Sequence, residues 1–517
     1  MNQANINQVL IVGGGTAGWL TAAKLAKQLN SQDPTAVQVT LIESPDIPTV
    51  GVGEGTWPTM RKTLAELGIS ESEFVRHCNA SFKQGTQFVN WKQAPENGKD
   101  NDYLHLFSSV VEASDFNLSP YWSLSEQQKN FADSISAQGA LCRDKLAPKD
   151  LTLAEYQGAQ NYAYHLDAAK FAELLKSHAC NQLGVKHLSA NITAVKQDQS
   201  GDIASVETDS AGELFADFFV DCTGFKCLLL GETLGIGFNN IQDKLLTDHA
   251  VTIQVPYQDE NEPIASCTIS TAHQAGWTWD IGLQNRRGTG YVYSSAHQSH
   301  DEAEATLRRY LGANTDHLSS RLIKMNCGYR EKFWHKNCVA IGLSAGFIEP
   351  LEASAIFLIE ASGNMLAELF PRQKSAMAHV ADKFNRSFLF RWQKSIDFIK
   401  LHYYLSKRQE AFWLDNKKPE TVPETLLNAI AHWQHHPISQ YDFDNVYEPF
   451  PLDSYQYVLH GMEFSQALDH NRARYNKTMQ AQYYFQRAAK LTEQLQKQLP
   501  SNRDLLNKLK QYSFQKI

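Results

Sequence analysis

The chain has no Cys-x-x-Cys pair, no apolar run long enough to cross a bilayer, no excess of positive charge and no low-complexity segment. Its eight cysteines, at 78, 142, 180, 222, 227, 267, 327 and 338, are too sparsely spaced for a disulfide framework or a zinc site. They read as reduced thiols of a cytoplasmic protein. The first apolar run, Val9-Leu10-Ile11-Val12, stops at a glycine cluster, and no charged leader precedes a cleavable stretch. The reading is therefore a soluble chain with no membrane partner. Lysine and arginine number 48 against 56 acids, a net charge of −8, which disfavours a nucleic-acid binder. What is present is apolar material: 43% of 517 residues are hydrophobic and 20% charged, enough for a large core or for about three domains.

The first sixty residues alternate in a recognisable way. Val9–Val12 has the unbroken apolar pattern of a buried parallel strand, and residues 19, 20, 22, 23, 25, 26 and 29 suit a helix packed on a sheet. Val37–Ile42 reads as a second strand ending at Glu43. Residues 151–187 read as helical, with Phe171, Leu174 and Leu175 on one face. Residues 188–222 read as short strands around a Gly201-Asp202 turn, and 249–295 as strand-rich. Beyond about residue 355 the pattern is helical and dense in aromatics. The tail, 485–517, reads as a polar surface helix.

Between the first strand and helix stands Gly13-x-Gly15-x-x-Gly18, with Thr16 and Ala17 inside it. The glycines of such a fingerprint serve separate ends. One permits a tight turn, one lets backbone approach a pyrophosphate closely, and one packs helix against strand. The helix N-terminus offers unpaired N–H groups to the phosphates, and Glu43 stands where a ribose hydroxyl finds its acceptor. An adenine dinucleotide is expected there. FAD is preferred because Phe219-Val220-Asp221-Cys222-Thr223-Gly224-Phe225 runs a strand into a turn of the kind that returns to the cofactor in flavoproteins.

Gly342-Leu343-Ser344-Ala345-Gly346 satisfies G-x-S-x-G after an apolar strand, the setting of a hydrolase nucleophile. Pro350 falls too early in the helix that should follow, and a hydrolase has no use for the dinucleotide unit. The segment reads better as a flat backbone platform beside a flavin. His432, His435 and His436 cluster near Pro437, at the solvent end of a helix, and do not read as a metal site.

Three further segments belong with the glycine turn: Gly51-Val52-Gly53-Glu54-Gly55-Thr56-Trp57-Pro58 with Ser81-Phe82-Lys83-Gln84-Gly85; Gly276-Trp277-Thr278-Trp279-Asp280-Ile281-Gly282; and Gly346-Phe347-Ile348-Glu349-Pro350-Leu351-Glu352-Ala353-Ser354-Ala355. Together they resemble the flavin-dependent halogenases, specifically the tryptophan halogenase family, from residue 8 to about 400. The resemblance implies that reduced FAD and oxygen give a flavin hydroperoxide, which a halide attacks to form hypohalous acid. That acid travels an internal tunnel to a lysine beside an aromatic substrate. The family lysine falls on Lys83 and the family glutamate on Glu352, and Gly53, Gly342 and Gly346 join the cofactor-binding set. A lysine ammonium suits hydrogen bonding to hypohalite and a neutral amine suits a haloamine; the residues leave both open. A carboxylate suits stabilising the cationic ring or accepting its proton.

The third segment departs from the family's Glu-Ser-Thr-Gly. Ser354 and Ala355 stand where backbone amides meet the halide, which leaves chloride or bromide open. The resemblance places His105 and Phe107 on the substrate pocket, where a stacked indole would sit. Tyr455, Tyr457 and Glu463 lie in the region that would hold an amino acid's polar end, so free tryptophan, indole, a peptide or another electron-rich arene are all admitted.

The expected fold is α/β: a doubly wound, glutathione-reductase-like FAD module with an inserted β-sheet, and a mainly helical module over the substrate. The expected divisions are 1–100 for the first part of the FAD module, 101–150 for an insert at the substrate pocket, 151–385 for the rest of the FAD module with its sheet region, and 386–517 for the helical module. No second dinucleotide motif is evident, so a separate flavin reductase is expected to supply reduced FAD; assembly is left open, a homodimer included. The alternatives are a flavin-dependent aromatic monooxygenase, which needs no remote lysine, and a flavin-binding regulator without turnover.

Overall fold

The computed structural model describes residues 5–47, 53–109, 116–125 and 129–516, so Gly51 and Val52 of the second glycine-rich segment lie outside the described residues. The chain divides into two compact units. The first comprises Met1–Asn79, Leu166–Ile241 and Asn326–Trp392; the second comprises Ala80–His165, Gln242–Met325 and Gln393–Ile517.

The first unit is built on a six-stranded sheet in the order Trp334–His335, Cys338–Ala340, Phe218–Asp221, Gln8–Val12, Gln38–Glu43, Lys186–Ser189. Only the Trp334–His335 hairpin is antiparallel; the other pairings are parallel. Such strands are covered on both faces, which is why Val9–Val12 and Phe218–Val220 are apolar without alternation. Helix Thr16–Leu29 follows the first strand and buries Trp19, Leu20, Ala22, Ala23, Leu25 and Ala26. It stops at Asn30, whose left-handed backbone (φ 55°) turns its N–H onto the Ala26 carbonyl.

Residues 151–187 are not one helical stretch. Ala163–Asp167 is a strand, and the helix runs only over Ala168–Gln182, capped by the Asp167 carboxylate on the N–H groups of Ala169 and Lys170. Phe171, Leu174 and Leu175 are buried as expected. The alternation Tyr162-Ala163-Tyr164-His165 is a period-two signal that the stronger helical pattern after it concealed.

The second unit carries a seven-stranded sheet in the order Ser320–Lys324, His249–Pro256, Arg286–Tyr293, Gly276–Gly282, Thr268–His273, Gly85–Val89, Asp102–Leu106. Thr268–His273 runs parallel to Gly85–Val89, in register Thr268↔Thr86; every other pairing is antiparallel. The C-terminal part of this unit, residues 393–517, is helical in all its described elements, as expected, and belongs to one unit with this sheet. Residues 242–325 lie in it rather than in a continuous 151–385 cofactor module. The ladder between residues 86 and 268 decides this, and local hydrophobic patterning carries no record of so distant a partner.

Nor is the tail a mere surface helix. Helix Asn502–Leu509 buries Leu505, Leu506 and Leu509, and Asn502 Nδ2 donates to the Phe82 carbonyl at 3.1 Å. The last helix thus supports the strand that carries Lys83.

Candidate active site

In the first unit the glycine turn is a shaped cradle. A methyl group on Gly13 would stand 2.1 Å from the Cys222 carbonyl oxygen, and one on Gly18 1.9 Å from the Gly13 oxygen. Gly13 also has φ 115°, a conformation open to glycine. At Gly15 the situation reverses: a methyl group would meet nothing within 4 Å. Gly15 is the N-cap of a 14-residue helix, and no side chain of the described residues caps it. Backbone N–H groups facing open space at a long helix N-terminus fit a pyrophosphate. The residues present fit FAD, which would supply the redox chemistry when bound. Thr16 Oγ1 lies 3.5 Å from the Ala168 carbonyl, and Ala17 Cβ stands against Gly342, where an added methyl would approach to 2.5 Å.

Glu43 ends the second strand beside this turn. Its Oε1 accepts from Lys176 Nζ at 2.7 Å and lies 2.8 Å from His187 Nε2, while Trp19 Nε1 reaches Oε2 at 3.4 Å. The carboxylate is thus already oriented, with Oε2 the less engaged oxygen. Gly53 is buried in the short strand Gly53–Gly55.

Two chain returns flank the turn, and Asp221 ties them together. Its Oδ1 accepts from Thr223 N–H (3.0 Å), Thr223 Oγ1 (2.7 Å) and Ser344 Oγ (3.0 Å). Its Oδ2 accepts from the N–H groups of Leu229 and Leu230 at 2.8 and 2.9 Å. Ser344 also donates to the Gly224 carbonyl at 3.1 Å. The Gly342–Gly346 segment is thereby fixed to the Thr223-Gly224 turn.

Further along, Glu352 is buried, and its carbonyl accepts from Trp57 Nε1 at 2.8 Å while Trp57 stacks on Phe357 at 4.1 Å. Ala353 adopts a left-handed conformation (φ 51°), which costs a non-glycine residue about 1–2 kcal/mol. Ser354 opens the 15-residue helix Ser354–Glu368, is fully buried, and its Oγ has no hydrogen-bond partner among the described residues. Ala355, next in the same first turn, is exposed.

In the second unit Lys83 is 2% exposed, on strand Ser81–Lys83 paired with residues 163–165. Its Nζ lies 5.4 Å from the centre of the Phe107 ring. The Phe107 N–H bonds to the Gln84 carbonyl at 3.1 Å, and its own carbonyl takes Asn161 Nδ2 at 2.9 Å. His105 sits on the adjoining strand opposite Thr86, with Nε2 at 2.9 Å from Ser454 Oγ and its ring 5.5 Å from Phe398. Phe398 in turn stacks on Phe450 at 3.8 Å and meets Tyr455 edge-on at 4.8 Å. Lysine, histidine and aromatics from four distant stretches of sequence therefore converge.

The profile of the tryptophan halogenase family matches residues 8–477. The chain belongs to the tryptophan halogenase family. It is 36% identical over 428 residues to the tryptophan 6-halogenase ThaL of Streptomyces albogriseolus, covering 80% of this chain and 79% of that one. To the tryptophan 7-halogenase RebH of Lentzea aerocolonigenes it is 36% identical over 429 residues, with 80% and 79% covered. Among solved structures, a tryptophan halogenase from Shewanella frigidimarina shares 44% identity and superposes with a TM-score of 0.96 over 100% of both chains.

Within this halogenase fold, Ser344 is no hydrolytic nucleophile: it is fully buried, and its hydroxyl proton is engaged by Asp221 and Gly224. Trp277 and Trp279 lie on strand Gly276–Gly282, with ring centres 6.4 Å apart; Trp277 is buried and Trp279 half-buried. Glu463 is not a pocket acid, since its carboxylate is bridged by Lys92 and Lys407, each at 2.7 Å. Among the described residues no group of three or more His, Cys, Asp or Glu is arranged to hold a metal ion, and all eight cysteines are free thiols. No described helix is long and apolar enough to cross a membrane.

The acids near Tyr455 are Glu448 and Asp397, which sequence reasoning missed. Tyr455 Oη donates to Glu448 at 3.3 Å, and Thr425 Oγ1 donates to Asp397 at 2.8 Å. Burial pushes Glu448 up to about 7 and Asp397 up to about 6, with Lys394 opposing both shifts. His165, beside Lys83, was also missed. Its only sequence signal is the alternation of residues 162–165, which names a face but not its neighbours.

Proposed function

We propose that this flavin-dependent halogenase converts a halide into hypohalous acid at the first unit and delivers it to Lys83, which presents it to an indole. The observation that carries the reading is a lysine 2% exposed, with an aromatic ring 5.4 Å from its ammonium, in a chain that also carries an FAD cradle. A buried ammonium donates to an oxygen-bearing ligand more strongly than an exposed one, because the local dielectric is low. Lys83 then donates to the hypohalous oxygen and polarises the halogen, while Glu352 stabilises the ring cation or takes its proton. The halide, chloride or bromide, is assigned to the first turn of helix Ser354–Glu368. The helix dipole, the Ser354 hydroxyl, partnerless among the described residues, and the amide of Ala355 supply positive potential and donors there.

For the substrate we favour tryptophan over bare indole. His105 and Phe107 supply faces for stacking. Burial raises Glu448 to about 7 and Asp397 to about 6, and an α-ammonium group placed beside them would draw both into their charged forms. Reduced FAD is assigned to a separate flavin reductase, because one dinucleotide fingerprint serves the whole chain. The free thiols suit work in the cytoplasm.

The test is a reaction coupled to a flavin reductase, with FAD, bromide or chloride, and L-tryptophan, indole or an indole-bearing peptide, read by mass spectrometry. A singly halogenated product that disappears in Lys83→Ala is the expected result. A hydroxylated, halogen-free product that survives Lys83→Ala would replace this reading by the monooxygenase.

A further inference from the structure

His165 is fully buried, and its Nδ1 has no hydrogen-bond partner among the described residues. An orphaned polar atom in a sealed interior carries a cost, and the structure holds this one in place from two sides. Nε2 sits 2.8 Å from Thr268 Oγ1, which fixes the ring. The strand register pairs Ser81 with His165 and Lys83 with Ala163. Side chains alternate along strands, so residues 81, 83, 163 and 165 share one face. Lys83 and His165 are diagonal neighbours on that face, about 7–8 Å apart at the backbone and within the span of a lysine stem.

Among the described residues of this ladder, Nδ1 has no other ionisable neighbour. Ser81, opposite His165 on the same face, has its hydroxyl proton committed to the Gly282 carbonyl. Lys149, the other buried cation of the region, is spent on the Ala154 carbonyl and Tyr162. Burial first, and the charge of Lys83 second, hold the His165 imidazole well below its ordinary pKa. While Lys83 is an ammonium, His165 is therefore a neutral base.

We propose that His165 is a positioning residue that returns a proton to Lys83 after each halogen transfer, with Thr268 holding its tautomer. The inference rests on the reading that Lys83 presents hypohalous acid. When the ring carbon takes the halogen, the halogen–oxygen bond breaks and a carbon–halogen bond forms. The departing hydroxide takes a proton from Nζ, one N–H bond exchanged for one O–H bond, and leaves as water. Lys83 is then a neutral amine, and the repulsion that adds to the burial penalty on a protonated imidazole is gone. With Nε2–H donated to Thr268, the proton enters at Nδ1 and passes to Nζ, and the ammonium is restored. The proton's source is the ring carbon, whose C–H bond breaks as aromaticity returns and whose proton reaches Nδ1 directly or by way of Glu352, so one C–H bond is lost and one N–H bond on Lys83 is remade per turnover. The two bases behave as one coupled site that holds a single proton at rest.

Two measurements test this. The first is the ring pKa of His165, followed by NMR of histidine-labelled protein, with its resonance assigned from His165→Gln. In Lys83→Met it should rise by about one pH unit or more relative to the unaltered chain; an unchanged value overturns the proposal. The second is kinetic. His165→Gln, at a melting temperature close to that of the unaltered chain, should lose roughly 10²-fold in kcat at unchanged KM for the aromatic substrate. Thr268→Val should lose less, and Thr268→Ser should restore the rate. A kcat for His165→Gln within about two-fold of the unaltered enzyme overturns the proposal. Should His165→Gln fail to fold, the NMR comparison in Lys83→Met decides, with the resonance assigned by elimination. Failure of the unaltered enzyme to halogenate any indole would instead remove the reading of Lys83, an outcome separable from both results.

Discussion

Replacing Ser344 by alanine separates two meanings of the Gly342–Gly346 motif. The hydroxyl donates to Asp221 Oδ1 at 3.0 Å and to the Gly224 carbonyl at 3.1 Å, in a fully buried position. A hydrogen bond to a charged group contributes about 1.5–3 kcal/mol. Asp221 keeps its bonds from Thr223, Leu229 and Leu230, so the lower end of that range, about 1.5–2 kcal/mol, is expected. For a unit of roughly 220 residues this corresponds to a fall of about 3–8 °C in melting temperature. The loosened link lies between the Thr223-Gly224 turn and the Gly342–Gly346 turn, both beside the glycine fingerprint, so FAD affinity should fall by about ten-fold, equivalent to one such bond. Thermal melts with and without FAD, together with flavin-fluorescence titration, read both numbers. A serine-directed phosphonate should leave the unaltered chain unlabelled. A melting shift below about 1 °C, or stoichiometric labelling of Ser344, would refute the reasoning.

Gly15→Val should abolish FAD binding while leaving the ligand-free melting temperature within about 2 °C, because the added side chain projects only into the space kept for the pyrophosphate; flavin titration and a thermal melt check it. Ser354→Ala should raise KM for halide about three- to ten-fold at unchanged saturated kcat, as expected for losing one neutral donor to an anion; a halide titration under coupled turnover reads it. Glu448 has a folded-state pKa of about 7, above the ordinary carboxyl value of 4.5. The folded state therefore binds more protons than the unfolded one between those values, and its contribution to stability falls as pH rises from 4.5 to about 7. Glu448→Gln should accordingly melt higher relative to the parent at pH 8 than at pH 4.5, and should lose any rise in KM for tryptophan seen as pH falls through 7. Equal melting differences at both pH values would contradict the assignment.

Much of the first unit was legible residue by residue. The glycine spacing, the apolar strand before it and the acid after the second strand are local patterns, and local patterns survive in a linear sequence. Lys83, Glu352, His105 and Phe107 are assigned through family motifs rather than through chemistry. Each is an ordinary residue type whose meaning depends on where it is buried. The readings that failed share one cause. The 151–187 stretch, the 151–385 boundary and the polar tail were judged by composition, yet each is settled by a partner more than eighty residues away: His165 against Ser81, Thr268 against Thr86, Asn502 against Phe82.

By itself the sequence determined that this chain holds a dinucleotide and carries the motifs of a halogenating flavoenzyme. Those properties follow from spacing within a few residues, where backbone geometry alone sets what is possible. Only the tertiary structure decided that Ser344 serves Asp221, that Glu463 is spent on two surface lysines while Glu448 and Asp397 face Tyr455, and that a neutral imidazole shares a strand face with Lys83. Proton affinity and charge compensation depend on burial and on what lies within a few ångströms, and strand pairing across long stretches of chain is what brings those neighbours together.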